Sequence, residues 1–241
     1  MLDKAVSILD CYRPHGGSYR LTELAERTGF SKTTTHRVAA DLVRLGLLER
    51  AGTAYRLGGS LFELGMLVPR RHGLRETALP FVQDLYEATH ETVHLGVRDD
   101  RDVIYLERVH GHAPLPLPSR VGGRLPLSCT GVGKALLAFS GPDLTEMILA
   151  EPLPRLTPYS LTDPELLRTA VEQAQVSGLA YEEQEAALGV CCIAAPVFDG
   201  GGMAVAALSV AVPQARFRPA RLAPAVRATA LGLSRVLRQA R

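Results

Sequence analysis

No run of about 18 consecutive apolar residues occurs in this 241-residue chain, so nothing in it reads as a membrane-spanning helix. Met1 leads into an amphipathic segment rather than the charged-then-apolar stretch of an export signal, and the expected location is the cytoplasm. Cysteine is scarce, with Cys11, Cys129, Cys191 and Cys192 as the full set and no CxxC spacing among them. A disulfide framework or a Cys-rich zinc site is therefore not expected in a reducing compartment. Charge of one sign is also lacking, because the net value is only +2. Its distribution is more telling: residues 1–60 hold 9 Lys and Arg against 6 Asp and Glu, whereas the remainder holds 18 against 19. The small basic excess lies in the first quarter of the chain, weak evidence for a nucleic-acid partner. What is present is a hydrophobic share of 46%, enough for a substantial core.

Periodicity divides the chain. Residues 2–13 place Leu2, Ala5, Val6, Ile8, Leu9 and Tyr12 at helical spacing, and Pro14 with the Gly16-Gly17 pair ends that helix. A second helix of about two turns is expected with Thr22 as its N-cap and Gly29 as its C′ residue. Ser31 caps a third, with Val38, Leu42, Val43 and Leu45 towards the core and Gly46 closing it. The segment "LLERAGTAYRLG" reads as two short strands around a turn at residues 51–53. Three helices and a hairpin within about 60 residues, with a tight Gly-Phe-Ser turn between the second and third, form a winged helix-turn-helix pattern. A small helical domain without a ligand is the alternative at this point.

Residues 60–73, with Leu61, Leu64 and Leu67 on one stripe, read as a linker helix interrupted by Pro69 and Gly73. That stripe is the expected dimer-forming segment of the N-terminal half, or else core of the next domain. From Leu74 the composition changes. A helix over 74–90 leads into a hairpin turning at residues 99–101, a proline-rich loop, helices in "GVGKALLAF", "DLTEMILA" and near 165–176, strands in "LAYEEQ", "VCCIAAPVF" and "MAVAALSVAV", and a closing amphipathic helix. Strands bracketed by helices imply an α/β sheet domain with one face covered.

The third helix opens with an unusual run, "SKTTTHR". β-Branched residues are poor helix formers because they lose χ1 freedom. At a helix N-terminus, however, short hydroxyls sit beside free N–H groups and a positive dipole end, a natural place to meet phosphate. Threonine also offers a methyl to thymine, and arginine can pair bidentately with guanine. The expected DNA contacts are Ser31, Lys32, Thr33, Thr34, His36 and Arg37, with Thr53 and Arg56 on the wing. Thr35 and Val38 belong on the packing side, because successive helical residues are about 100° apart.

The segments "LTELAERTGFSKTTTHRVAADLVRLGLLER", "YRLG", "ETVHLGV", "SRVGGRLPLSCTGVGKALLAF", "RLTPYSLTD" and "CIAAPVFD…AALSV" resemble, in order and over essentially the whole chain, the IclR family of bacterial transcription regulators. The resemblance implies an α+β chain with a winged helix-turn-helix over residues 1–59, a linker helix over 60–73 and a GAF-like α/β effector-binding domain over 74–241. It further implies a non-enzymatic regulator, without metal or other cofactor, that binds double-stranded operator DNA and a small-molecule effector. The implied assembly is a homodimer or a dimer of dimers, with no membrane association and a cytoplasmic place on the nucleoid. Effector contacts carried over by motif are Gly131 and Val132 through their backbone N–H groups, Glu182 where relatives often have Asp, Cys192 and Ser209. Two departures stand out. Cys191 occupies a position where Arg is usual, and Ala211 one where some relatives have a second pocket serine. Fewer hydroxyls and more apolar wall favour a bulkier effector than a two- or three-carbon acid, such as an aromatic carboxylate. The reading of a different class is a small-molecule-binding or enzymatic GAF-like protein with a vestigial N-terminal domain.

Three motifs point elsewhere. His90-Glu91-Thr92-Val93-His94 spells the zinc-peptidase signature, which needs a helix to put both imidazoles on one face. Here residues 92–97 alternate like a strand. "TGVGKAL" resembles a phosphate-binding loop, but Ser128 and Ala135 stand where that pattern needs Gly and Ser or Thr, so Lys134 is expected to cap or pair within the domain. The vicinal Cys191-Cys192 pair would chelate poorly from a strand, where neighbours face opposite ways.

Overall fold

The computed structural model describes residues 1–14, 16–112 and 115–239, with the side chains of residues 69–72 outside that description; Ala113 and Pro114 of the proline-rich loop thus lie outside it. The chain divides into two compact units, residues 1–72 and 73–241. In the first, helix α1 (Leu2–Asp10) is followed by strand β1 (Ser18–Arg20), α2 (Leu21–Thr28), α3 (Lys32–Arg44), β2 (Leu48–Ala51), β3 (Ala54–Leu57) and α4 (Gly59–Met66). Strands β2 and β3 form the expected hairpin, pairing Glu49 with Arg56 and Ala51 with Ala54. Strand β1, unanticipated because three residues carry no periodicity, pairs antiparallel with β3 and completes a three-stranded sheet.

The core of this unit joins Ile8, Tyr12, Leu24, Val38, Leu42, Leu48 and Tyr55, each such apolar side chain contributing about 1.5–3 kcal/mol on burial. The buried Tyr12 hydroxyl donates to the carbonyl of Tyr55, 2.9 Å away. Three sequence expectations need correction here. Leu2 and Val6 are exposed, because α1 is buried at Ile8 instead, with Tyr12 of the following turn buried beyond it. Leu45, expected in the core, is exposed where α3 ends. Thr22 is not the cap of α2: the helix starts one residue earlier, and the Glu23 carboxylate reaches back to accept from the Arg20 N–H at 2.6 Å. Gly29 ends α2 with φ of +71°, a left-handed backbone that suits glycine.

The second unit takes in α5 (Pro69–Thr89) from Gly73 onward, then β4 (Thr92–Asp99), β5 (Asp102–Val109), β6 (Arg124–Pro126), a 3₁₀ turn (Leu127–Cys129), α6 (Gly131–Ala138), α7 (Pro142–Leu149), α8 (Pro164–Ser177), β7 (Ala180–Glu183), β8 (Val190–Phe198), β9 (Ala204–Pro213) and α9 (Pro219–Gln239). Gly73 lies inside α5 rather than breaking a helix, whereas Pro69 starts that helix, a position where its missing N–H costs nothing. The six strands form one antiparallel sheet in the order β6-β5-β4-β9-β8-β7. Both faces are covered, not one. Val93, Leu95, Ile193, Leu208 and Val210 pack against Val82 and Leu85 of α5 and Val226 and Leu233 of α9. On the other face Tyr105, Ala194 and Ala207 meet Val132 and Leu136 of α6 and Leu167 and Val171 of α8. The central strands read as continuous apolar runs for this reason, since alternation is lost when neither face meets water. Close packing of α6 depends on Gly133, where a Cβ would lie 2.1 Å from the Leu127 carbonyl oxygen.

Candidate functional site

Helix α3 begins as its sequence implies. The Ser31 hydroxyl accepts from the Thr34 backbone N–H at 3.2 Å and lies 3.0 Å from the Thr34 hydroxyl. Thr35 is fully buried and its hydroxyl donates to the Ser31 carbonyl, which places it in the packing rather than on the surface. Lys32, Thr33, His36 and Arg37 are exposed, with Thr34 half-buried beside them. No acidic side chain occupies the first turn. The helix thus presents two cations, hydroxyls and a positive end to solvent without a carboxylate to repel phosphate. On the wing, Thr53 sits exposed in the β2–β3 turn. Arg56 is exposed too, but its Nε donates to the cross-strand Glu49 at 2.5 Å, so meeting DNA would exchange an existing ion pair.

In the second unit, residues separated by up to 78 positions converge. Gly131 and Val132 form the start of α6, while Glu182, Cys192 and Ser209 come from β7, β8 and β9. All five line one cavity, which is narrow in the empty protein. Strand register explains the convergence. Glu182 pairs with Cys192, Cys192 with Ala211, and Ser209 with both Ala194 on β8 and His94 on β4, so these side chains share a sheet face.

The cavity is polar at the α6 end. Thr130 caps the helix by accepting from Gly133 N–H at 2.9 Å. The N–H groups of Gly131 and Val132 have no acceptor within the helix, and the helix end carries roughly half a positive charge. The Ser209 hydroxyl is buried and has no partner at ordinary hydrogen-bond geometry; its one polar neighbour is the Cys192 thiol, a weak partner that burial pushes up to about 12 and that Ser209 only partly offsets. Glu182 Oε1 accepts from the N–H groups of Glu185 at 2.5 Å and Ala186 at 3.1 Å. Burial nevertheless raises its carboxyl to about 7, with the Glu185 charge adding to the effect. Lys134 is almost wholly buried and its Nζ lies 2.5 Å from Glu185 Oε1, which makes it a pairing residue as expected.

Sequence reasoning missed part of the lining, notably His94, Tyr105, Ser119 and Thr130. His94 Nε2 lies 2.8 Å from the Ser119 hydroxyl, and burial together with the Arg108 charge pushes the imidazole down to about 3, so it stays neutral. The signal for His94 was present in the strand alternation that argued against the zinc motif. His90, at φ of +55°, follows the end of α5, whereas His94 lies in β4, so the two imidazoles share no helix face. Among the described residues no cluster of three or more His, Cys, Asp or Glu could hold a metal. No helix there is long and apolar enough to cross a membrane.

Comparison with known proteins agrees with this geometry. Residues 66–235 match the model of the bacterial transcriptional regulator IclR C-terminal domain, and residues 1–52 match the IclR helix-turn-helix domain. The chain is 38% identical over 224 residues to the HTH-type transcriptional regulator BhcR of Paracoccus denitrificans, covering 92% of this chain and 80% of that one. It is 31% identical over 242 residues to the regulator XynR of Escherichia coli, covering 98% and 96% respectively. Among solved structures, an IclR homologue from Microbacterium hydrocarbonoxydans, complexed with 4-hydroxybenzoate, superposes with a TM-score of 0.90 at 30% identity over 99% of both chains.

Proposed function

The chain belongs to the IclR family and is a ligand-responsive transcriptional regulator, and from that premise we propose a carboxylate as its effector and α3 with its wing as its operator-reading surface. The observation that carries the effector assignment is the orphan hydroxyl of Ser209. It faces the same cavity as the free N–H groups that open α6, so three unspent donors await an anionic oxygen. Leu117, Leu125, Ala186 and Ala211 supply apolar wall on the rest of the cavity, which suits an aromatic or otherwise bulky acid better than a two-carbon one. The complex of the Microbacterium homologue with 4-hydroxybenzoate supports the same class.

For the DNA half, Ser31, Lys32, Thr33, Thr34, His36 and Arg37 form the reading surface, with Thr53 and Arg56 touching the backbone from the wing. The DNA-binding domain extends over residues 1–59, the linker over 60–73 and the effector domain over 74–241. The protein works in the cytoplasm as a homodimer or dimer of dimers, the exposed Phe62, Leu64 and Leu67 of the linker region supplying the contact. Effector binding favours one dimer geometry over another, and only one spaces two recognition helices for successive major grooves. Thermal shift with carboxylates of rising size, from acetate to 4-hydroxybenzoate, tests the effector class. Stabilisation confined to the larger acids is expected, and stabilisation by none of them overturns the assignment.

A further inference from the structure

An anion-binding cavity ordinarily carries a cation, yet among the described lining residues none is Lys or Arg, and one, Glu182, is an acid. Two cations lie nearby without lining the cavity. Lys134 on α6 is paired with Glu185, and Arg108 on β5 directs Nη1 to the Ser119 carbonyl, its buried Nε making no hydrogen bond. Around Glu182 the other ionisable groups are Glu183 and Glu185 on its own segment, Cys191 and Cys192 on β8, Tyr105 on β5 and His94 on β4. None of these supplies a cation, since burial keeps His94 neutral, and the only positive charge acting on Glu182 among the described groups is that of the paired Lys134. Both backbone amides that reach Glu182 fall on Oε1, so Oε2 takes neither of them, and the residue lines the cavity.

We propose that the cavity takes its carboxylate effector together with one proton, held between the effector and Glu182, so that Glu182 acts as a hydrogen-bond donor that selects carboxylates. This rests on the carboxylate reading of the preceding subsection. Two carboxylates within one buried site do not both stay ionised without a cation, and the customary resolution is a shared proton. The balance is simple. Where Glu182 is ionised, effector entry draws one proton from solvent onto the pair; where it is already protonated, none is exchanged. No other bond is made or broken. Because burial, reinforced by the Glu185 charge and opposed by the backbone amides and Lys134, brings the empty site's carboxyl to about 7, the crossover falls in the physiological range. The α6 amides and Ser209 then receive the effector's second oxygen.

The test is calorimetry of the full chain with benzoate and 4-hydroxybenzoate in buffers of low and high ionisation enthalpy, at about pH 6 and about pH 8. The expected result is uptake of close to one proton per effector at the higher pH and little at the lower. Affinity should fall about tenfold per pH unit above about pH 7.5. Glu182→Gln keeps a donor and should bind with neither proton uptake nor this pH dependence, its folding verified by a cooperative melt no lower than the wild type's at about pH 6. Binding without proton uptake at the higher pH, or an unaltered pH dependence in Glu182→Gln, would overturn the proposal while leaving the carboxylate reading intact. Failure of both acids to bind at either pH would overturn both.

Discussion

Ser209 on β9 is the register partner of His94 on β4, and the two side chains line the same cavity in opposite chemical states. His94 is satisfied by Ser119, whereas the Ser209 hydroxyl is buried with no hydrogen bond. An unmet hydroxyl in an apolar setting is a cost to the empty protein and a gain on ligand binding. Ser209→Ala should therefore weaken effector binding by about 1 kcal/mol, several-fold in Kd, without lowering the melting temperature of the ligand-free chain. Operator affinity without effector should be unchanged. Equal effector affinity in calorimetry would remove Ser209 from the site.

On the DNA side, the three threonines separate. Thr35 is a packing residue whose hydroxyl is spent on the Ser31 carbonyl, so Thr35→Val should cost stability of about 1 kcal/mol and leave operator affinity nearly constant. Arg37 is exposed and unburdened by packing. Arg37→Ala should weaken operator binding by about 1–3 kcal/mol with an unchanged melt. Undiminished affinity in fluorescence anisotropy would exclude Arg37 from the interface.

The buried Lys134–Glu185 pair should behave asymmetrically. Removing one partner strands a charge, so Lys134→Met alone should destabilise by about 3–5 kcal/mol, while Lys134→Met with Glu185→Leu should recover much of the loss. Denaturant melts of the two variants decide the matter; equal destabilisation would show that the pair is not a unit.

Glu182 also sets a pH dependence for the empty protein. Its folded carboxyl is raised to about 7, above the ordinary range, so its contribution to stability is complete below about pH 4.5 and is lost as pH rises through about 7. Between about pH 5 and about pH 8.5 the wild type should therefore lose more stability than Glu182→Gln, by on the order of 3 kcal/mol. Parallel stability curves for the two proteins would contradict this.

The residues that opened into helices were legible where their signals were local. Ser31, Gly29 and the hairpin from Leu48 to Leu57 announced themselves through capping and turn chemistry. The five cavity residues were reached through family resemblance, because no local pattern links Gly131 to Ser209. Their meeting depends on cross-strand register, which also explains why Tyr105 of β5 escaped notice, while Ser119 reaches the cavity from the irregular segment between β5 and β6. The coverage of the sheet on both faces was misjudged from patterning that blurred strand and helix. Leu45 and Val6 were misplaced for a simpler reason: an apolar residue at helical spacing still faces water when no element packs over it.

The most direct test of the account is fluorescence anisotropy of the full chain on labelled DNA from upstream of its own gene, with and without 4-hydroxybenzoate and benzoate. Sequence-specific binding whose affinity shifts at least about fivefold with one of these acids is the predicted result. Specific binding indifferent to every carboxylate, or no preference for that DNA over random sequence, would contradict it.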